Sequence, residues 1–392
     1  QFSTCHACAS VRRSPNMLRR ARAPSRLSSR VRARDAQRRD NTIARASSSS
    51  MDVPSLASVA DKYDVFLLDQ FGVLHDGKNP YPGAIDAARA LASMGKSYII
   101  SNSSRESSGT IEKLTTMGFN AAWFAGAKTS GDCAKAFILA AAADAVDVVS
   151  NGTSLPTSDV KSSCPVRDAI VRGVERRGKA KCAHVTWSAR GAITLGDDVN
   201  AVIDVVDAAS DDDIDFILIH GTEAFGRGDG ADAIETPIDD IKAFVERSAR
   251  RRVPVVVANP DFVTVSGDAL VTMPGTLGKW YTDAFECADA ASSASSYVRL
   301  MGKPDAIIYD ALLRDVEQTA GTSVDKTRVL AVGDSLEHDI VGASRAGIDA
   351  LFIRDGIHAA DVARDGADGV VDAFLARNVE ARVKFHTAKF QW

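Results

Sequence analysis

Short apolar runs that alternate with helical patterns constrain the fold of this chain more than any other feature of its sequence. Val65–Leu68 is a continuous apolar run that ends at Asp69, and residues 98–100 form a second run. Continuous runs of this length are typical of strands that are buried on both faces. Residues 82–95, between the two runs, carry apolar side chains at helical spacing. Strand, helix and strand at this spacing predict an α/β fold with a doubly wound parallel sheet.

The same pattern returns near the carboxyl terminus. A helical pattern begins at Pro304 and is followed by an apolar run at 329–332. A second helical pattern starts near His338 and ends at Gly347, and it leads into another apolar run at 350–353. These elements predict that the second half of the chain adds strands to the same sheet.

The chain divides into three predicted parts. Residues 126–254 separate the two halves and contain strand and helix patterns of their own. We therefore predict a discontinuous, Rossmann-like core domain at 51–125 and 255–392, and an inserted α/β cap domain at 126–254. Residues 1–50 form a leader that does not belong to either domain.

The leader differs sharply in composition from the rest of the chain. Residues 1–50 contain 12 Arg, ten Ser, two acids and no Lys. An Arg- and Ser-rich, acid-poor leader is typical of an organelle transit peptide. We expect a chloroplast address, with a mitochondrion as the alternative, and translation from Met51 would give a cytosolic form. A disordered basic tail that binds an anionic partner is the other interpretation.

The net charge and the short apolar runs of the remaining residues argue against two classes of partner, nucleic acids and membranes. They carry 35 Lys and Arg against 49 Asp and Glu, a net charge of about −14. An acidic surface argues against nucleic-acid binding, because phosphate backbones require positive charge. No apolar run approaches the roughly 20 residues that span a bilayer, so no membrane partner is expected. The six cysteines form no disulfide framework, and the CxxC of Cys5 and Cys8 lies in the leader without a partner pair, so a zinc site is not expected.

Polar side chains follow two of the predicted strands in the first half. Asp69 ends a buried strand, where a carboxylate can attack phosphorus. Ser101 and Asn102 end the next strand, where a hydroxyl, an amide and backbone N–H groups can bind phosphate oxygens. Each signal alone is more often an ordinary strand end or polar loop. Together they lie where open α/β sheets bind ligands.

Two further signals lie in the second half. Lys303 precedes Pro304 at a predicted helix start, where a cation is unfavourable unless an anion is present. Asp334 and Asp339 lie in a loop between a buried strand and a helix, and their oxygens suit Mg²⁺. A surface lysine and a helix-capping loop are the ordinary alternatives. The order of all four signals is more specific than any one of them.

In this order the motifs resemble those of the haloacid dehalogenase superfamily, which uses a nucleophile, then Ser or Thr, then Lys, then an acid pair. The resemblance extends to the class IIA branch, which carries a large α/β cap between the second and third motifs. Within this branch, the chain is similar to the p-nitrophenylphosphatase, phosphoglycolate phosphatase and pyridoxal phosphatase group. It also resembles a subgroup whose first motif reads D-x-(W/F)-G-V-L-H-D-G. The residues that carry it are the runs 69–77, 99–105, 259–261, 274–276, 302–305 with 308–309, and 333–336.

The resemblance implies a magnesium-dependent phosphatase that acts on a small phosphorylated metabolite through an aspartyl-phosphate intermediate. Asp69 would be the nucleophile and a Mg²⁺ ligand, together with the backbone carbonyl of Phe71 and the carboxylate of Asp334. The remaining implied roles are phosphoryl binding by Ser101 and Asn102, charge neutralisation by Lys303, and support of the metal by Asp339.

One position departs from the family pattern. Family phosphatases usually have a second Asp two residues after the nucleophile, where it acts as general acid and base, and here that position is Phe71. Loss of such a group typically costs about 10²–10⁴ in rate. A slow phosphatase or one restricted to good leaving groups is one expectation, and His75 or Asp76 could substitute for the missing acid. A protein that binds a phosphometabolite without turnover is the alternative.

The sequence does not name the substrate. In this family the selectivity comes from cap side chains, and Trp187, Arg190 and His220 are candidates for that role. The resemblance also implies that the cap could mediate a homodimer, although no sequence feature marks an interface.

Overall fold

The protein is described here by a computed structural model. The structure describes residues 50–150, 164–208, 213–227, 233–266, 269–289 and 293–392. The predicted leader, apart from its last residue, lies outside the described residues. Residues 49–392 form one compact unit.

The strands are numbered in chain order. They are β1 Met51–Asp52, β2 Val65–Leu68, β3 Lys96–Ser101, β4 Phe124–Thr129, β5 Ala180–Thr186, β6 Ile203–Val205, β7 Phe216–Ile219, β8 Ala224–Phe225, β9 Ile234–Glu235, β10 Val255–Val257, β11 Val263–Ser266, β12 Ala269–Thr272, β13 Val298–Leu300, β14 Val329–Gly333, β15 Asp349–Ile353 and β16 Phe385–Thr387.

The α-helices are numbered in the same way. They are α1 Ala84–Met94, α2 Thr110–Thr116, α3 Ser130–Ser150, α4 Pro165–Arg177, α5 Asp197–Val202, α6 Ile238–Arg250, α7 Pro274–Ala288, α8 Ala306–Ala320, α9 Val341–Ala346, α10 Ala359–Asp365 and α11 Ala367–Arg377.

The first sheet contains the predicted core strands. Its order is β1-β16-β15-β14-β2-β3-β4, and all neighbouring strands are parallel. Strands β14 to β16, from the last part of the chain, lie between β1 and β2, so this sheet is built from two separate stretches of the chain. The structure confirms the doubly wound parallel sheet.

Helices cover both faces of this sheet, and β2 shows why the strands are apolar throughout. Val65 and Leu67 belong to one buried cluster, which includes residues of α8 and α9. Phe66 and Leu68 belong to the opposite cluster, which includes residues of α1 and α2. Successive side chains of a strand point to opposite faces, so a strand covered on both sides needs an apolar residue at every position.

The second sheet belongs to the inserted segment. Its order is β13-β10-β7-β5-β8-β9, with β6 paired to β5. The β11 and β12 strands form a separate antiparallel hairpin. Helices α6 and α7 contribute buried side chains to a third apolar cluster together with β7 and β10. The insert is therefore an α/β unit, as predicted.

The predicted end of the cap at residue 254 is wrong. Strand β10 pairs with β7 and with β13, so the second sheet continues to Leu300. An apolar triplet such as Val255–Val257 is buried in either sheet, and its sequence alone cannot tell which neighbour it will pair with. The first boundary also moves, because β4 continues the core sheet to Thr129.

Two predicted helix starts are shifted. The helix predicted from Pro304 begins at Ala306, and the Asp305 side chain caps it by accepting a hydrogen bond from the Ile307 N–H at 3.0 Å. The helix predicted from His338 begins earlier, as a single π-helical turn at Leu336–Ile340. It continues as the α-helix α9 from Val341.

No helix within the described residues is long and apolar enough to cross a bilayer.

Candidate active site

The carboxyl ends of the central core strands bring the predicted carboxylates together. Asp69 follows β2 and Asp334 follows β14, and these two strands are parallel neighbours with Leu68 paired to Val332. The Asp69 N–H donates to the Val332 carbonyl at 2.9 Å, which extends the pairing to the site. Carboxylate oxygens of Asp69, Asp334 and Asp339 all lie within 4.8 Å of one another.

Lys303 lies between two of these carboxylates. Its Nζ is 2.8 Å from Asp69 Oδ1 and 2.7 Å from Asp339 Oδ1, and the residue is only 2% exposed. Burial opposes the charge, but Asp339 and Asp69 hold the pKa of Lys303 well above its ordinary value. The structure thus explains how a buried cation persists at the helix start where the sequence placed it.

The carboxylates carry more negative charge than Lys303 can balance. Burial raises the pKa of Asp69 to about 7, although Lys303 acts in the opposite direction. Burial and the nearby charge of Asp69 also raise the pKa of Asp334 well above its ordinary value. Three crowded carboxylates with one lysine are an oxygen-rich, anionic set that fits a divalent cation such as Mg²⁺.

The backbone around Asp334 is built for close packing. A Cβ atom on Gly72 or Gly356 would overlap the Asp334 carboxyl group, so both positions require glycine. The Ile357 N–H donates to Asp334 Oδ2 at 2.7 Å and orients the carboxylate. Asp339 is oriented in the same way by the Ser335 N–H, at 3.0 Å from its Oδ2. These contacts preset the carboxylates, whereas metal binding by the Phe71 carbonyl stays a prediction.

Asn102 acts on Lys303, a contact that the sequence did not indicate. Its Oδ1 accepts from the Lys303 N–H at 2.8 Å, and its Nδ2 donates to the Lys303 carbonyl at 3.1 Å. The same Nδ2 donates to Asp261 Oδ1 at 2.8 Å. The side chain of Asn102 therefore holds the catalytic-lysine candidate in place. Ser101 is buried at the end of β3, with its Oγ accepting from the Ser103 N–H at 3.2 Å, and its phosphoryl-binding role stays a prediction.

Asp261 and His338 belong to the site, but sequence reasoning gave them no role. His338 Nδ1 lies 3.2 Å from Asp261 Oδ1. Burial opposes the charge on Asp261, yet hydrogen bonds from His338 and Asn102 lower the pKa of its carboxyl group. Burial likewise opposes the charge on His338, and Asp261 raises the pKa of its imidazole. In the sequence analysis, the 259–261 motif served only to support the family resemblance. Its aspartate, Asp261, was the one sequence feature that could have indicated this pair.

The two substitutes suggested for the missing acid are both engaged in contacts within their own turn. His75 is completely buried, its Nδ1 accepts from the Gly77 N–H at 3.0 Å, and its ring meets the Phe71 ring edge-on at 4.8 Å. Burial lowers the pKa of His75 to about 4, so its neutral form is favoured. Asp76 is exposed and caps a turn, where its Oδ1 accepts from the N–H groups of Lys78 and Asn79. A surrogate role for either residue therefore stays a prediction, which these contacts do not favour.

Two cap candidates contact the core loop that follows Ser101. The Trp187 indole N–H donates to Ser104 Oγ at 3.3 Å, and the Arg190 guanidinium lies 5.1 Å from the Trp187 ring centroid. Arg105 donates to the backbone carbonyls of Arg190 and Gly191 at 2.6 and 2.8 Å. The cap loop around these residues therefore rests directly on the core.

The third cap candidate, His220, lies at the end of β7. Its Nδ1 is 2.9 Å from His184 Nε2, and both rings are buried. Burial lowers the pKa of His184 to about 4 and that of His220 well below its ordinary value. His220 also lines a cavity of about 390 Å³ between the core loop 104–109 and the cap loop 192–196. A role in substrate selection stays a prediction for all three candidates.

Two family models match the parts of the chain that supply the site. The haloacid dehalogenase-like hydrolase model matches residues 66–160, which include Asp69, Ser101 and Asn102. The HAD-hydrolase-like model matches residues 300–376, which include Lys303 and both later carboxylates. Both matched segments are therefore similar to haloacid dehalogenase-like hydrolases. The predicted family resemblance is confirmed.

One curated relative of this chain is a 4-nitrophenylphosphatase of Schizosaccharomyces pombe. The two are 44% identical over 63 residues, which are 16% of this chain. The chain therefore matches about a fifth (21%) of the length of that relative.

Two solved structures share the fold of this chain. A haloacid dehalogenase-like family hydrolase from Brucella suis 1330 has a TM-score of 0.58 at 23% identity, over 86% of this chain and 98% of that chain. A possible sugar phosphatase of the HAD superfamily from Cytophaga hutchinsonii has a TM-score of 0.57 at 17% identity. The match covers 88% of this chain and 99% of that chain. Both matches extend over most of the chain, so the chain shares its overall fold with these two proteins.

Proposed function

We propose that this chain is a Mg²⁺-dependent phosphatase of a small phosphorylated metabolite and works through an aspartyl-phosphate intermediate. The observation that carries the proposal is the contact of buried Lys303 with both Asp69 and Asp339, beside the third carboxylate of Asp334. An isolated cluster of buried charges is costly, so this arrangement is best explained by a site that takes up a cation and an anion.

Asp69 is the proposed nucleophile. Its carboxylate oxygen attacks the phosphorus atom, the bond to the leaving oxygen breaks, and water later cleaves the acyl phosphate to free the carboxylate. Lys303 contacts Asp69 Oδ1 at 2.8 Å. Its positive charge reduces the repulsion between the anionic nucleophile and the anionic phosphate. Asp69 and Asp334 would hold Mg²⁺ with support from Asp339, and the bound ion would supply charge neutralisation on the phosphoryl oxygens.

The alternative is a protein that binds a phosphometabolite without hydrolysing it. The specific observation in its favour is Phe71, which occupies the position of the usual acid and base. The crowded carboxylates would be satisfied equally by binding, so they do not separate the two functions. The matched 4-nitrophenylphosphatase favours turnover, although it shares only a short segment with this chain.

The test is the release of 4-nitrophenolate from 4-nitrophenyl phosphate by the purified chain. We expect release that requires Mg²⁺, stops with chelator and falls by on the order of 10⁴-fold or more in Asp69→Asn. Asp64→Asn is the matched control, because Asp64 precedes the same strand but is exposed and paired with Arg328. Stabilisation by inorganic phosphate with no release above background would instead identify a binding protein.

A further inference from the structure

Position 71 combines an apolar side chain with the absence of the usual acid. The Phe71 ring is 46% exposed, two residues after the nucleophile candidate Asp69. Its neighbours in the same turn do not replace the acid, because His75 is enclosed and Asp76 caps the turn. A leaving oxygen that departs beside Phe71 therefore receives no proton from the turn that normally provides one.

The surroundings of Phe71 favour a departing anion. The ammonium group of the exposed Lys113 lies 5.4 Å from the Phe71 ring centroid and adds positive charge beside the ring. In the first step the Asp69 oxygen forms a bond to phosphorus, and the electron pair of the broken P–O bond stays on the leaving oxygen. The product leaves as an anion and takes its proton from bulk water. Only a weakly basic oxygen leaves readily in this way.

A second exposed ring lies next to another site residue. Phe262 is 49% exposed, follows Asp261 in the chain, and its ring centroid is 6.4 Å from that of His338. An exposed aromatic side chain beside polar site residues suits contact with an apolar part of a ligand. Phe71 and Phe262 thus offer aromatic surface beside residues of the charged cluster.

We propose that the chain selects phosphate monoesters of aromatic alcohols, whose leaving oxygen is a weakly basic aryloxide. The proposal rests on the phosphatase function proposed above and specifies the substrate class of that same site. In the second step, water attacks the aspartyl phosphate, the Asp69 oxygen leaves as carboxylate, and the proton of the water passes to solvent. Because no side chain at position 71 assists this step, the covalent intermediate accumulates.

The first experiment measures kcat/KM for a series of substituted phenyl phosphates in Mg²⁺. For the wild type we expect a steep fall as the leaving phenol becomes more basic. Phe71→Asp restores an acid, so it should flatten this dependence and raise the value for phenyl phosphate by about 10²–10⁴-fold. Phe71→Leu is the matched control, because it stays apolar and cannot donate a proton, and it should keep the steep dependence.

The second readout is the covalent state of the protein. After mixing with 4-nitrophenyl phosphate, intact mass should show one added phosphoryl group in the wild type and in Phe71→Leu, and much less in Phe71→Asp. A third comparison isolates the aromatic contact. Phe262→Ala should lower kcat/KM for 4-nitrophenyl phosphate about 3- to 10-fold and leave that for acetyl phosphate, which has no ring, unchanged.

The outcomes separate this inference from the function on which it rests. Turnover with a shallow dependence in the wild type would overturn the inference, since another side chain such as His338 would then donate the proton, and the phosphatase would stand. Equal losses for 4-nitrophenyl phosphate and acetyl phosphate in Phe262→Ala would overturn the aromatic preference. No turnover of any ester by the wild type or Phe71→Asp would instead reject the phosphatase function itself.

Discussion

The Asn102 side chain closes a set of hydrogen bonds around the backbone of Lys303. Its two polar atoms contact both the N–H and the carbonyl of that residue, and its amide also reaches Asp261. Gly302 is required here, because a Cβ on it would overlap Asn102 Oδ1 and Ser130 Oγ. A buried peptide must satisfy its hydrogen bonds, and in this site a side chain from another strand does so.

This arrangement predicts an unusual ranking of substitutions at position 102. Asn102→Ala leaves the Lys303 peptide unpaired and should lower the free energy of unfolding by about 2 kcal/mol. Asn102→Asp should be at least as damaging, although it has the same shape. It replaces the Nδ2 donor by an oxygen that faces two acceptors, the Lys303 carbonyl and Asp261. Urea unfolding at neutral pH measures both.

The matched control for this ranking is Asn120→Asp. The Asn120 side chain only accepts, from the Ala122 N–H at 2.9 Å, and it is exposed, so the aspartate can replace it with little loss. If Asn102→Asp were as stable as the wild type, the donor role assigned to its amide would be incorrect.

The core loop between β3 and α2 is held from two sides by other elements. On one side, the start of α3 contacts it: the Gly131 N–H donates to the Ser103 carbonyl at 3.0 Å, and Asp132 Oδ1 accepts from the Ser107 N–H at 3.0 Å. On the other side, Arg105 contacts two carbonyls of the cap loop. The loop that directly follows Ser101 is therefore linked to the cap loop by hydrogen bonds.

Removal of the Arg105 contact should loosen the cap loop without unfolding the protein. Each exposed hydrogen bond contributes little, so we expect about 1 kcal/mol in total for Arg105→Gln. Amides of the cap loop should then exchange with deuterium roughly fivefold faster, while those of β2 keep their rates. The control is Arg89→Gln, which removes an exposed arginine that pairs with Asp86 on α1. Unchanged exchange in the cap loop would show that Arg105 does not hold it.

Across the whole molecule, the sequence predicted the core and its site better than the cap. The strand ends of a parallel sheet share one edge, so Asp69, Ser101 and Asp334 could be placed together from the order of the elements alone. The predicted domain boundary after residue 254 was misplaced, because the strand with which β10 pairs is set by contacts between residues far apart in the sequence. The contact of Asn102 with Lys303 and the burial of His75 could not be predicted for a related reason. Both depend on the directions in which side chains point.

The crowding of carboxylates at this shared edge also predicts how the stability of the whole molecule depends on Mg²⁺. Asp69, Asp334 and Asp339 lie within 4.8 Å of one another, with Lys303 touching only the first and the last. A ligand that binds only the folded state stabilises it by about 2.7 kcal/mol at 100 times its dissociation constant. Saturating Mg²⁺ should therefore raise the unfolding temperature by a few degrees over that in chelator.

Asp334→Asn separates this binding effect from a general effect of salt. In chelator, the neutral side chain relieves the repulsion with Asp69, so the variant should be more stable than the wild type by about 1–2 kcal/mol. With Mg²⁺ it should gain almost nothing, because a ligand and a charge have been removed. Asp64→Asn, which changes an exposed carboxylate at the opposite end of β2, should keep the full Mg²⁺ response of the wild type. A variant at position 334 that is less stable in chelator and still responds to Mg²⁺ would mean that these three carboxylates neither repel one another nor bind the ion.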